Sequence, residues 1–252
     1  MRAGVLDLVK KLGAIPGIRD FAMTTNGILL PEMAADLKAA GLRRVNISLD
    51  TFDPEKYARI TRCGRLEDAL AGIDAAVAAG LTPLKINTVL IKGFNDDEIE
   101  AFVHYTKTRP VEVRFIELMP LGDGAEYAFG QYMPGEAVLA RVPELVPAAS
   151  PPGAPARLCT LPGALGKVGL INPISHRFCS DCNRIRLTSE GYLKLCLCYE
   201  KGIDLRAVLR DPGRKQTLQE VMKEAIFEKL AEHCFEQVSE MTEHNAMVRI
   251  GG

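Results

Sequence analysis

Strand-like and helix-like segments alternate through the first 120 residues, and this alternation limits the architecture more than any other feature of the chain. Residues 20–25, 44–49, 84–91 and 111–118 read as strands. Residues 31–40, 66–79 and 97–106 read as helices, and Val5, Leu8, Val9 and Leu12 mark one more at the start. The punctuation agrees: Pro31 opens one helix, Gly41 follows it and Gly80 stops the next. Strands separated by helices pair in parallel through right-handed crossovers, so the expected fold class is α/β. A less regular stretch follows, with a loop over 147–155. Beyond it come short strand-like pieces and a helical segment over 217–237. There Leu218, Val221, Met222, Ala225 and Ile226 form a core-facing stripe. Two domains are expected, residues 1–122 and 123–252.

The second part holds four cysteines in one stretch. Cys179, Cys182 and Cys196 follow the spacing C-x2-C-x13-C, and Cys198 lies two residues further on. Thiolates bind soft metals and iron–sulfur clusters, and a C-x2-C turn lets two sulfurs reach one centre. Three ligands around a four-iron cluster leave one iron open. Zinc is the competing reading, because His176 completes a Cys3His set. Cys196 and Cys198 share a face of any strand, so spacing leaves the third ligand undecided. Arg184 and Arg186 flank the stretch; solvated surface arginines and anion ligands are both open readings, and the adjacent cysteines favour the second.

Composition narrows the function classes. The formal net charge of −1 gives no electrostatic footprint for nucleic acid or an anionic membrane. No apolar run is long enough to span a bilayer, and the first residues lack a charged-then-apolar signal pattern. Seven cysteines, an odd number, point to a reducing cytoplasm, where metal or cluster ligation outranks disulfides.

The strands carry a second signal. Asn46, Ser48 and Asp50 share one face of their strand, Lys85 and Asn87 one face of the next, and Thr24 and Asn26 the end of the first. Single residues of this kind are ordinary caps or turns, as Asp50-Thr51 and Asn26-Gly27 suggest. Three consecutive strands with polar residues of one parity near their C-termini point to a common ligand mouth.

These residues, together with Met23-Thr24-Thr25-Asn26-Gly27, Arg114-Phe115-Ile116-Glu117-Leu118-Met119-Pro120, the C-x2-C-N-R-I-R-L stretch and the terminal Ile250-Gly251-Gly252, resemble one family in the right order along the whole chain. It is the GTP 3′,8-cyclase family of molybdenum cofactor biosynthesis, a group of radical S-adenosylmethionine (SAM) enzymes. The resemblance implies a lyase that converts GTP to (8S)-3′,8-cyclo-7,8-dihydroguanosine 5′-triphosphate. It implies a radical SAM (β/α)6 partial TIM barrel with a C-terminal α+β extension carrying a second [4Fe–4S] cluster. Cys179, Cys182 and Cys196 would hold that cluster, with Cys198 a bystander. Thr24, Lys85, Arg114, Arg184, Ile185 and Arg186 would contact GTP. Ser48 and Met119 would line the SAM site, with Met119 past its strand end. Gly251 and Gly252 would thread into the active site as catalytic residues, where side chains would not fit. The implied partners are GTP, SAM, a reductant such as flavodoxin or ferredoxin, and a downstream cyclic pyranopterin monophosphate synthase; a homodimer is compatible.

One departure is large. The family's C-x3-C-x2-C, which holds a first [4Fe–4S] cluster, and its G-G-E-P segment are absent from these 252 residues, and only Cys63 precedes Cys159. On this reading the chain is an incomplete barrel of four strands with an unpaired parallel edge. Alone it binds one cluster and does not cleave SAM. Two other classes fit the same residues: a catalytically silent cluster- and nucleotide-binding protein, and a zinc-stabilised α/β interaction domain.

Overall fold

The computed structural model describes residues 3–122, 128, 130–245 and 247–250. The chain forms two compact units, Met1–Glu117 with Met133–Ile171, and Leu118–Tyr132 with Asn172–Gly252.

In the first unit, β1 (Ala22–Thr25), β2 (Arg44–Ser48), β3 (Leu84–Leu90) and β4 (Val111–Glu117) pair side by side, all parallel. The helices are α1 (Val5–Gly13), α2 (Leu30–Ala39), α3 (Pro54–Thr61), α4 (Leu66–Ala78), α5 (Ile99–Thr108) and, later, α6 (Glu136–Arg141). The sheet then continues from an unexpected source. After β5 (Val146–Pro147) and β6 (Arg157–Thr160), β7 (Lys167–Ile171) pairs parallel to β4, and β6 and β5 finish that side antiparallel. The sheet order is β1-β2-β3-β4-β7-β6-β5, seven strands where the sequence pattern marks four. Helix α3 also lacks a clear periodic signal. It is set by its start, where Asp53 accepts the N–H groups of Glu55 and Lys56 and Pro54 takes the first turn.

Burial alternates strictly along β3 and β4. Leu84, Ile86, Thr88 and Leu90 are buried, as are Val111, Val113, Phe115 and Glu117, while the residues between them are half-exposed. The buried parity joins Leu37 of α2, Ile73 of α4 and Phe102 of α5 in one core. Helices therefore cover one face, and the other presents Thr24, Asn46, Ser48, Lys85, Asn87, Glu112 and Arg114.

One contact locks the end of β1. Gly27, at φ 83°, follows the strand and receives α4 so closely that a Cβ on Gly72 would lie 2.1 Å from the Gly27 carbonyl oxygen. Alanine in a helix is worth roughly 0.5–1 kcal/mol over glycine. Overpacking against backbone costs about 1–3 kcal/mol, so the clash wins. Gly72→Ala is expected to lower the unfolding free energy by about 1–2 kcal/mol in a urea titration. A variant as stable as the parent would show that this approach is not tight.

The second unit carries a small antiparallel sheet, β8 (Arg186–Leu187), β9 (Tyr192–Lys194) and β10 (Gly202–Asp204), in the order β10-β9-β8. Helices α7 (Leu205–Arg210) and α8 (Leu218–Phe227) follow, the latter opened by a capping box between Thr217 and Glu220. Helix α8 stops ten residues short of the expected 237. Beyond it the chain turns to bury Cys234 and Phe235 with Cys198 and Met241. Lys194 and Glu243 form an ion pair whose side chains are 3% and 1% exposed. Among the described residues no helix is long and apolar enough to cross a membrane.

Candidate functional site

The polar face of the first unit is ordered by strand register. Thr24 lies beside Asn46 and Asn46 beside Lys85, forming one row; Ser48 lies beside Asn87 and Asn87 beside Arg114, forming the next. Asn46 Nδ2 donates to Thr24 Oγ1 at 3.2 Å, while Arg44 donates to Asn46 Oδ1 at 3.0 Å and pairs with Asp20. Arg114 engages Glu112. Lys85 makes no ion pair among the described residues. Burial, and then the neighbouring Arg114, hold its amine below the usual lysine range. Asn87 Oδ1 is buried without a hydrogen-bond partner. Glu112, beside Lys85 in the register, and Asp20 partly offset the lysine charge, and the buried acceptor on Asn87 is suited to a polar ligand. Gly169 lies opposite Arg114, where a Cβ would come within 3.3 Å of the Arg114 side chain.

The strand ends that carry these groups are cross-tied. The Val89 N–H donates to Asp50 Oδ1 at 2.8 Å, and Asn95 Nδ2 donates to the carbonyls of Asp50 and Val89 at 2.7 and 2.8 Å. Burial pushes the Asp50 carboxyl up. Asp50 is thus more than a turn cap: it joins β2 to β3.

In the second unit a short turn at Cys179–Asp181 brings Cys182 back, its N–H donating to the Cys179 carbonyl at 3.1 Å. Cys196 follows β9. Burial pushes the Cys196 thiol up, and the Cys179 and Cys182 sulfurs add to that, which sets all three in one electrostatic neighbourhood. Burial also pushes Cys182 up. A hydrogen bond from the Arg184 backbone and the Lys229 ammonium outweigh it and hold this thiol below its ordinary range. Arg186 is depressed by burial and then by Arg184, so two guanidiniums stand close together. The Arg184 guanidinium lies over the Phe178 ring at 5.8 Å.

Cys198 is placed differently. It is fully buried, its sulfur 2.9 Å from that of Cys234. Ile185 is 38% exposed. His176 is exposed, and Met119 lies beyond β4 in the second unit, packed against the Cys198–Cys234 cluster. Gly251 and Gly252 lie outside the described residues. Among the described residues no three His, Cys, Asp or Glu side chains converge on a single metal ion. Lys229 escapes sequence reasoning, because a lysine just past an amphipathic helix carries no motif.

Comparison with known proteins bears on both units. The family described as Radical SAM superfamily matches residues 1–106, and the one described as Molybdenum Cofactor Synthesis C matches residues 111–235. The chain is 46% identical over 252 residues to a GTP 3′,8-cyclase of Alkaliphilus oremlandii, covering 100% of this chain and 78% of that protein. It is 48% identical over 254 residues to a GTP 3′,8-cyclase of Peptoclostridium acidaminophilum, covering 100% of this chain and 77% of the relative.

Proposed function

The chain belongs to the GTP 3′,8-cyclase family of radical SAM enzymes in molybdenum cofactor biosynthesis, and from that membership we propose how its residues divide the work. The second unit binds a [4Fe–4S] cluster through Cys179, Cys182 and Cys196 and the triphosphate of GTP through Arg184, the Ile185 backbone and Arg186. The first unit contributes Thr24, Lys85 and Arg114 to GTP and Ser48 to SAM, and Met119 also lines the SAM site. Gly251 and Gly252 are assigned the catalytic role that the family resemblance implies. The fold is read as a partial barrel, with the polar face of the β1–β4 sheet as its interior.

One arrangement carries this reading: the Cys179–Cys182 turn, closed by the Cys182 N–H, has the Cys196 thiol in its electrostatic neighbourhood and the Arg184 and Arg186 guanidiniums beside it. The donor set fits a cluster, because thiolates are its ligands and a cluster spreads them over several irons instead of one point. When bound, the cluster supplies an iron open to a substrate ligand, and SAM supplies the radical chemistry of the superfamily. The protein's own part is to hold and orient. Planar guanidiniums bind phosphate oxygens in a bidentate fashion, which a lysine pair would not reproduce. Burial of Arg186 strengthens those bonds by excluding water. Asn87 offers a buried acceptor and Lys85 a half-buried cation to the polar parts of the ligands.

The test is nucleotide selectivity. The parent is expected to bind GTP more tightly than GDP or GMP. Each of Arg184→Ala and Arg186→Ala should weaken GTP by about tenfold to a hundredfold, from roughly 1.5–3 kcal/mol per charge-assisted bond. The double variant should bind GTP and GMP alike in equilibrium dialysis. Selectivity that survives both substitutions would place the triphosphate elsewhere.

A further inference from the structure

The proposed division of work gives Lys229 no role of its own, yet its contacts are specific. It lies just past α8 and is half-buried. Its Nζ donates to the Cys182 carbonyl at 2.8 Å, to the Arg184 carbonyl at 3.0 Å and to the Cys182 sulfur at 3.2 Å. An ammonium has three protons, so these acceptors use all of them. Among the described residues no carboxylate pairs with Lys229, and its charge is directed at the cysteine sulfur. The two carbonyls bracket Asn183. One cation therefore fixes both ends of the peptide that joins a cysteine of the triad to the first arginine.

We propose that Lys229 is a positioning residue that couples the second cluster to anion recognition. Through the two carbonyls it sets the direction in which the chain leaves Cys182, and with it where Arg184 and Arg186 present their guanidiniums. Through the sulfur it places a positive charge and a hydrogen bond on a cluster ligand. Hydrogen bonds and positive charge at cluster sulfurs favour the reduced state, which carries one more negative charge, and so raise the reduction potential. The inference rests on the proposed ligation by Cys179, Cys182 and Cys196.

The test uses anaerobically reconstituted protein, with Lys229→Met and Lys229→Gln beside the parent. The cluster midpoint is read by a redox titration followed by electron paramagnetic resonance, and GTP and GMP affinities by equilibrium dialysis. Lys229→Met should shift the midpoint to more negative potential. It should also weaken GTP binding by about tenfold, the loss of one charge-assisted contact, while GMP changes by less than about twofold. Lys229→Gln keeps a neutral donor for one carbonyl, so it should recover part of the GTP preference and leave the midpoint shifted. If the methionine variant does not take up iron, the glutamine variant carries the comparison with the parent. An unchanged midpoint, or an unchanged ratio of GTP to GMP affinity, overturns the coupling. A parent protein whose iron uptake is indifferent to Cys179, Cys182 and Cys196 overturns the ligand assignment, and the inference with it.

Discussion

Cys179→Ala, Cys182→Ala and Cys196→Ala are each expected to abolish iron and sulfide uptake on anaerobic reconstitution, whereas Cys198→Ala retains it. On the proposed ligation each of the first three variants would lose a metal bond. Cys198 makes a packing contact instead: its sulfur is buried against Cys234, and the Cys234 N–H donates to it at 3.2 Å. Truncating one such small group costs about 1 kcal/mol, enough to lower stability and too little to unfold the unit. Iron analysis and the visible absorption band decide the matter. A Cys198 variant as colourless as the Cys196 variant would exchange their roles, and a colourless parent that retains zinc would favour the Cys3His reading with His176.

The second large effect concerns the buried pair in the same unit. Lys194 of β9 donates to Glu243 and to the Tyr199 carbonyl at 2.9 Å, while Glu243 accepts the Asn245 N–H at 2.7 Å. Removing one partner strands the other charge out of water, a cost of roughly 3–5 kcal/mol. Lys194→Met should therefore lose about that much stability, and Lys194→Met with Glu243→Leu should recover most of it. The pair also predicts a pH window. Burial raises the Glu243 carboxyl, but the bonds from Lys194 and Asn245 prevail and hold it below the ordinary glutamate range. A depressed acid stabilises the fold above its unfolded value, about 4.3. That contribution disappears as pH falls through the lower folded value. Denaturant melts between neutral pH and pH 3 should show a larger acid loss in the parent than in the double variant, which keeps other depressed carboxylates such as Asp20 and Asp97. Equal acid sensitivity would assign the loss to other carboxylates.

Much of the first unit was legible because its information is local. Proline, glycine and periodicity place β1 to β4 and helices α2, α4 and α5 within a few residues, while α3, set only by its cap at Asp53, goes unmarked. Strand β7 was not, because Lys167–Ile171 is a five-residue apolar piece whose partner, β4, lies some fifty residues earlier. Nothing local encodes that pairing. The end of α8 was hidden for a related reason: the apolar stripe continues past Phe227, and only the burial of Cys234 beside Cys198 shows why the helix stops. For the candidate site, parity marked Thr24, Ser48 and Lys85 as polar strand positions, and the register sets them on one face with Arg114, which only the family resemblance had named. Parity could not distinguish Cys196 from Cys198, since both have the same sign in a strand. Their surroundings differ: Cys198 is buried against Cys234, and Cys196 is part-exposed. The contact of Lys229 with Cys182 spans 47 positions and has no sequence signature at all.

The strict alternation along β3 and β4 also ties chemistry to folding quality. A strand has two sides only, so pairing shifted by one residue would send Lys85, Asn87 and Arg114 into the helix-covered core and turn Ile86, Val113 and Phe115 outward. Such a species would bury unpaired charge and expose apolar surface, and it could not persist as a soluble, inert impostor. Single-residue deletions in these strands should therefore appear as protein lost to aggregation or proteolysis. A preparation that stays soluble and monodisperse reports, by that fact, that the polar side chains of these strands point the right way.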